Sequence, residues 1–138
     1  MKKITSFLLA VLLLFSTTLL SSCISGTVAI GLIESSSDNY SHLAFYSLNG
    51  KCEIKCKNAK YEKAKLYFAS EVEQGELNLY YSVNNEKVLL ATVKAGEPVK
   101  QMREDITFNK NQTVIIYVET VSKSQVGVVV VQLIDIND

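Results

Sequence analysis

The heptapeptide Lys51-Cys52-Glu53-Ile54-Lys55-Cys56-Lys57 alternates without a break: apolar or sulfur-bearing residues at even positions, charges at odd ones. Only a strand with one face buried and one face wet satisfies that period. The pattern recurs in Glu76–Val83, with Leu77, Leu79, Tyr81 and Val83 on one side and Glu76, Asn78, Tyr80 and Ser82 on the other. Turn chemistry punctuates these runs. Asn49-Gly50 suits a type I′ hairpin because both residues accept positive φ. Gln74-Gly75, Asn84-Asn85, Gly96 and Ser122-Lys123-Ser124 supply further turns.

Between those turns lie strand candidates at His42–Leu48, Lys65–Val72, Lys87–Val93, Thr113–Val121 and Gln125–Ile134. Lys87–Val93 and Val128–Val131 are apolar on both faces, as central strands are. Val99–Phe108 is the least regular stretch, with strand at Asp105–Phe108 and strand or a short helical turn before it. Seven or eight close-spaced strands without a long helix predict an all-β domain, an antiparallel β-sandwich over residues 42–135. A small β-barrel is the runner-up.

The amino terminus is of another kind. Lys2 and Lys3 precede an apolar run from Phe7 to Leu20, whose polar residues are Ser16, Thr17 and Thr18. A basic start, an apolar stretch and a small-residue exit make a secretory signal. An uncleaved membrane helix is the competing reading, since the run approaches spanning length. Leu20-Ser21-Ser22-Cys23 closes the run and resembles the lipobox of bacterial lipoproteins, position by position. The resemblance implies acylation of the Cys23 thiol, cleavage before it, and a mature chain anchored by Cys23 to the outer side of the cytoplasmic membrane. The chain then divides into a signal peptide at 1–22, a lipidated cysteine and flexible tether at 23–41, and the β domain. Ser35-Ser36-Ser37-Asp38-Asn39 gives the tether its polar character; Val28–Ile33 within it is apolar enough for a short edge strand. The segments Gly75–Val93 and Thr113–Leu133 look like small β-sandwich domains of uncharacterised gram-positive lipoproteins, a resemblance that carries no activity with it.

Composition narrows the function by exclusion. The chain has 14 basic and 14 acidic residues, and without Lys2 and Lys3 the balance is 12 to 14, which gives nucleic acid nothing to bind. His42 is the single histidine, so a Ser-His-Asp relay would have to be built on it, with no nucleophile elbow in sight. No P-loop, Gly-rich dinucleotide motif or EF-hand occurs. The sequence therefore names no catalytic residue, metal ligand or cofactor.

Cys52 and Cys56 stand about 13 Å apart if both lie on one strand. A disulfide between them is out of reach there. They read as buried packing thiols, with a bulge-assisted disulfide or a metal or redox role as alternatives. Tyr67 and Tyr80 fall on outward positions of neighbouring strand segments and are the candidate binding face. The expected function is a membrane-anchored envelope module that binds or assists a protein or glycan. A carbohydrate-binding module is the alternative, and a small hydrolase the remoter one.

Overall fold

A computed structural model describes Cys23, Ile24 and residues 26–138; the apolar run and the first three lipobox positions lie outside the described residues. Eight strands follow one another: β1 (Val28–Ile30), β2 (Ile33–Ser37), β3 (Tyr40–Asn49), β4 (Lys51–Lys57), β5 (Lys63–Val83), β6 (Glu86–Lys94), β7 (Val99–Asn109) and β8 (Thr113–Asp135). All pairings are antiparallel. No helix occurs among the described residues.

The architecture turns on its two long strands. β5 and β8 have 21 and 23 residues and pair from Ala64↔Asp135 to Ser82↔Ile115. Their register shifts twice between Gln74 and Leu77, where Gly75 has φ 88° and Val126, on the partner, φ 48°. Bulges of this kind bend a strand sharply and let it pass from one sheet to the other. A Cβ on Gly75 would lie 2.4 Å from the Lys123 carbonyl oxygen, so the two bends interlock only with glycine there.

The bend divides the sheet into two layers. In the first, the β3 layer, β1 and β2 lie one after the other along one edge of β3, followed on its other side by the second half of β8, the first half of β5, and β7. In the second, the β4 layer, the order is β4, the first half of β8, the second half of β5, and β6. Leu43 and Phe45 of β3, Ile54 of β4, Leu66, Phe68, Leu77 and Leu79 of β5, and Ile116, Val118, Val129 and Val131 of β8 share one core. The predicted antiparallel sandwich is thus the fold, made by one sheet folded over itself.

Several expected turns are something else. β3 and β4 flank Gly50 but do not pair with each other; β3 pairs with the second half of β8 and β4 with the first. Asn49-Gly50 is therefore a corner between layers. The Gly50 amide donates to Thr120 Oγ1 (2.7 Å) and the Thr120 amide to the Gly50 carbonyl (2.9 Å), which docks this corner on the bend of β8. Gln74-Gly75 and Ser122-Lys123-Ser124 are the bends themselves, within continuous strands. Glycine and serine suit bulges as well as turns, so the sequence signal is the same. Asn84-Asn85 is the predicted two-residue hairpin, with φ 59° and 66° between the paired Val83 and Glu86. Val99–Asn109 is strand throughout, with Glu104–Ile106 bulged out of its ladder to β5.

The stretch expected as a tether joins the domain. Ser35, Ser36 and Ser37 pair with His42, Ser41 and Tyr40, and Asp38-Asn39 turns the chain between them. An edge strand is held by its backbone ladder and can be polar on both sides, which hides it from any reading based on hydrophobic period. At the far end of β4, Asn58 is fully buried. Its Nδ2 donates to the Tyr61 and Phe108 carbonyls (2.9 and 3.1 Å), and its Oδ1 accepts from Asn39 Nδ2 and the Tyr61 amide (3.0 and 3.1 Å). Both donors and both lone pairs of the side chain are used, and the end of the sandwich is closed by this residue.

Candidate ligand-binding face

The outward positions of the β3 layer fall into rows set by the strand register. One row is Tyr40 (β3), Gln132 (β8), Tyr67 (β5) and Met102 (β7). The next is His42, Val130, Ala69 and Lys100, and the one beyond it Ala44, Val128 and Glu71. The alternate residues Leu43, Leu66, Phe68, Val129 and Val131 point into the core, so these rows stand on the outer face. Tyr40 and Tyr67 are half-buried and lie two strand spacings apart, about 10 Å, with the Gln132 amide between them.

Over the second and third of these rows, next to the β6–β7 connection, runs a groove. One part, about 220 Å³, is lined by Ala69, Pro98, Lys100, Val128 and Val130. The other, about 460 Å³, is lined by Glu71, Glu73, Gly96, Val126 and Val128. Glu71 and Val128 belong to both parts, so the groove is continuous. Its floor is apolar and its rim carries carboxylates and one ammonium group. Val126 at the bend lines one part of it, and Gly96 and Pro98 of the β6–β7 connection line it as well.

Tyr67 and Tyr80 do not share a face. The bend of β5 lies between them, and Tyr80 stands on the outside of the β4 layer in the row Glu53, Tyr117, Tyr80, Leu89. There the Lys87 ammonium sits 4.5 Å from the Tyr80 ring centre and 5.0 Å from that of Tyr117, and it pairs with Glu119. Lys51 reaches the same carboxylate at 3.9 Å. These rings are capped by a cation, an arrangement that stabilises a surface and leaves less aromatic face for a ligand. The partner that Tyr67 does have, Tyr40, escaped the sequence reading because it sits where the tether was expected. Its signal was the alternation Tyr40-x-His42 leading into β3.

His42 is half-buried on the same outer face, opposite Ser35 on β2 and Val130 on β8. Its row contributes Ala69 and Lys100 beyond that and no carboxylate. A hydroxyl and an imidazole without a third group to orient them fall short of a nucleophile relay. Among the described residues no group of three or more His, Cys, Asp or Glu is placed to hold a metal ion.

The cysteines correct the sequence reading. Cys52 is joined to Cys23 in a disulfide, and only Cys56 is a free, buried thiol. Cys52 and Cys56 lie on one strand, and the partner of Cys52 comes from the other end of a 29-residue separation. Spacing along β4 could not reveal it. The Ile24 amide donates to the Lys51 carbonyl (2.9 Å), which brings Cys23 alongside Cys52. A sulfur bonded to Cys52 cannot also carry a thioether, so this disulfide and the expected lipidation of Cys23 exclude each other in one chain. Burial pushes the Cys56 thiol up to about 11, against weaker opposing hydrogen bonds from Ser41 and the Leu133 backbone.

No protein-family model matches this sequence, and no curated protein matches it. Among solved structures, a mutant of a family 29 carbohydrate-binding module is similar over 81% of this chain and 83% of its own, with 14% identity and a TM-score of 0.41. A second mutant of such a module, complexed with mannohexaose, has the same identity and TM-score over 86% and 89%. A ruminal endo-β-1,4-mannanase has 16% identity and a TM-score of 0.40, with 73% of this chain and 20% of the enzyme covered.

Proposed function

We propose that this chain is a non-catalytic glycan-binding module of the bacterial envelope, and that the outer face of the β3 layer takes the ligand. The observation that carries the reading is the row Tyr40–Gln132–Tyr67 beside the groove. Two tyrosines offer apolar ring surface and hydroxyls at the spacing of alternate sugars in an extended chain. Between them an amide supplies both a donor and an acceptor. The groove with Glu71 and Lys100 at its rim adds polar groups for hydroxyls to one side. Sites that hold sugars combine flat apolar contacts with a few fixed polar groups in this way.

The lipobox supports attachment to the outer side of the cytoplasmic membrane. In that form Cys23 carries the lipid, Cys52 is a free thiol, and the domain faces the envelope polymers. An accessory role toward an envelope protein is the second reading, favoured by the exposed Leu89 beside Tyr80 and Tyr117 on the opposite face.

Affinity electrophoresis through gels containing envelope and plant polysaccharides tests both. Retardation by a glycan that Tyr67→Ala and Tyr40→Ala abolish, while Tyr80→Ala does not, supports the assignment. Retardation that depends on Tyr80 moves the ligand to the β4 layer. A chain retarded by no polysaccharide but retaining an envelope protein in a pull-down favours the accessory reading.

A further inference from the structure

We infer that the β1–β2 edge of the domain rests against the lipid bilayer, so that the module lies flush on the membrane with no flexible tether between. The inference rests on the membrane attachment proposed above and adds the orientation. Of the eleven large apolar side chains exposed among the described residues, Val28, Ile30 and Ile33 belong to this edge, and a fourth, Tyr46 of β3, stands next to it. Val28, Ile33 and Tyr46 are each 63% exposed. Tyr46 stands beside Gly31, in the gap between β1 and β2. No strand pairs with the far side of β1 or β2 among the described residues.

The occupant follows from where the preceding chain ends. The apolar run stops at Leu20, three residues before Cys23. Three residues reach at most about 10 Å. From Ile24 on, the chain is fastened: the Ile24 amide bonds the Lys51 carbonyl, and Thr27 Oγ1 accepts from the Lys51 amide (2.8 Å) and donates to its carbonyl (2.9 Å). These bonds do not involve the sulfur, so a lipid on Cys23 does not require them to break. An acyl chain on Cys23, or a retained apolar segment before it, thus brings this edge to the membrane surface. The unpaired backbone groups of β1 and β2 place it at the hydrated headgroup level, above the hydrocarbon, where apolar side chains dip inward and amides still meet water.

The sequence contains no tryptophan, so a single introduced one reports its own surroundings. The full chain is reconstituted into phosphatidylglycerol vesicles with brominated acyl chains, as Ile33→Trp, Val28→Trp and Met102→Trp. Met102 is on β7, four strands from β2 and about 19 Å away across the layer. Blue-shifted, strongly quenched emission from Ile33→Trp and Val28→Trp, with Met102→Trp unquenched, supports the orientation. Flotation with the vesicles but equal quenching at all three positions overturns it while attachment stands. Failure to float overturns the attachment and, with it, the orientation.

Discussion

Gly127 lies under the ring of Phe45. The two are paired across the β3–β8 ladder, and a Cβ on the glycine would stand 2.2 Å from Phe45 Cζ. One residue after the positive-φ Val126, the glycine gives the ring room beside the bend in β8. Gly127→Ala forces the ring or the strand to move, and overpacking of this kind costs about 1–3 kcal/mol. Urea unfolding of Gly127→Ala should show a lower midpoint, and Phe45→Leu in the same chain should recover part of the loss. A midpoint equal to the parent's would mean that the bend is softer than the packing indicates.

In chain that has not been acylated, Cys23 and Cys52 should be found cross-linked by peptide mapping without reductant. A closed loop of this length is worth about 3–4 kcal/mol by the chain-entropy estimate. Cys52→Ala should lower stability by that order in the oxidised protein, and by clearly less in the reduced one, where only core packing is lost. Cys23 carrying diacylglycerol with Cys52 free would identify the lipidated form instead, in which Cys52→Ala costs only the lost packing.

Asn58→Ala removes a side chain with four hydrogen bonds and strands the Tyr61 and Phe108 backbone groups in a buried place. Leaving buried groups unpaired costs about 1–3 kcal/mol apiece at most sites. A loss of about 2–4 kcal/mol in chemical denaturation is expected. Asn58→Asp should also destabilise, since a carboxylate cannot donate to the two carbonyls.

The Cys56 thiol has its pKa raised by burial from 9.0 to about 11. Its protonated form is therefore favoured in the folded chain. The stability this contributes is complete below pH 9, and it is lost as pH rises from about 9 to 11 while the unfolded chain ionises first. Denaturation midpoints should fall across that window in the parent and less so in Cys56→Ala. Iodoacetamide should leave Cys56 unmodified in the folded protein at pH 8 and modify it in urea.

On the proposed ligand face, Tyr67→Ala should weaken glycan binding by about tenfold, equivalent to ~1.4 kcal/mol. Tyr40→Ala should do the same, and Tyr80→Ala should leave affinity unchanged while costing some stability through the lost Lys87 contact. Calorimetric titration of the three variants separates these effects.

Much of the fold was legible along the chain. Alternation marked β4 and both halves of β5, and Asn84-Asn85 announced its hairpin. The candidate face was legible only in part. Tyr67 was visible as an outward aromatic, but Tyr40 and Gln132 join it through the register of β3 and β8, over 60 residues apart in sequence. Register is a property of the ladder as a whole, and no local pattern states it.

Where one strand face is polar, as in β4, the sequence by itself determined which residues turn inward, because burial of the other face imposes a period of two. In Lys87–Val93, apolar on both faces, it did not, and Val88 and Leu89 are exposed on β6 at the edge of the sheet. Tertiary structure decided where strands end. A glycine or serine that permits a hairpin permits a bulge equally well, and only the partner strand selects between them. Gly75 and Ser124 became bends because β5 and β8 stay paired through them. That choice put Tyr67 and Tyr80 on opposite faces. Tertiary structure also placed Cys23 beside Cys52, through the bonds of Ile24 and Thr27 to Lys51.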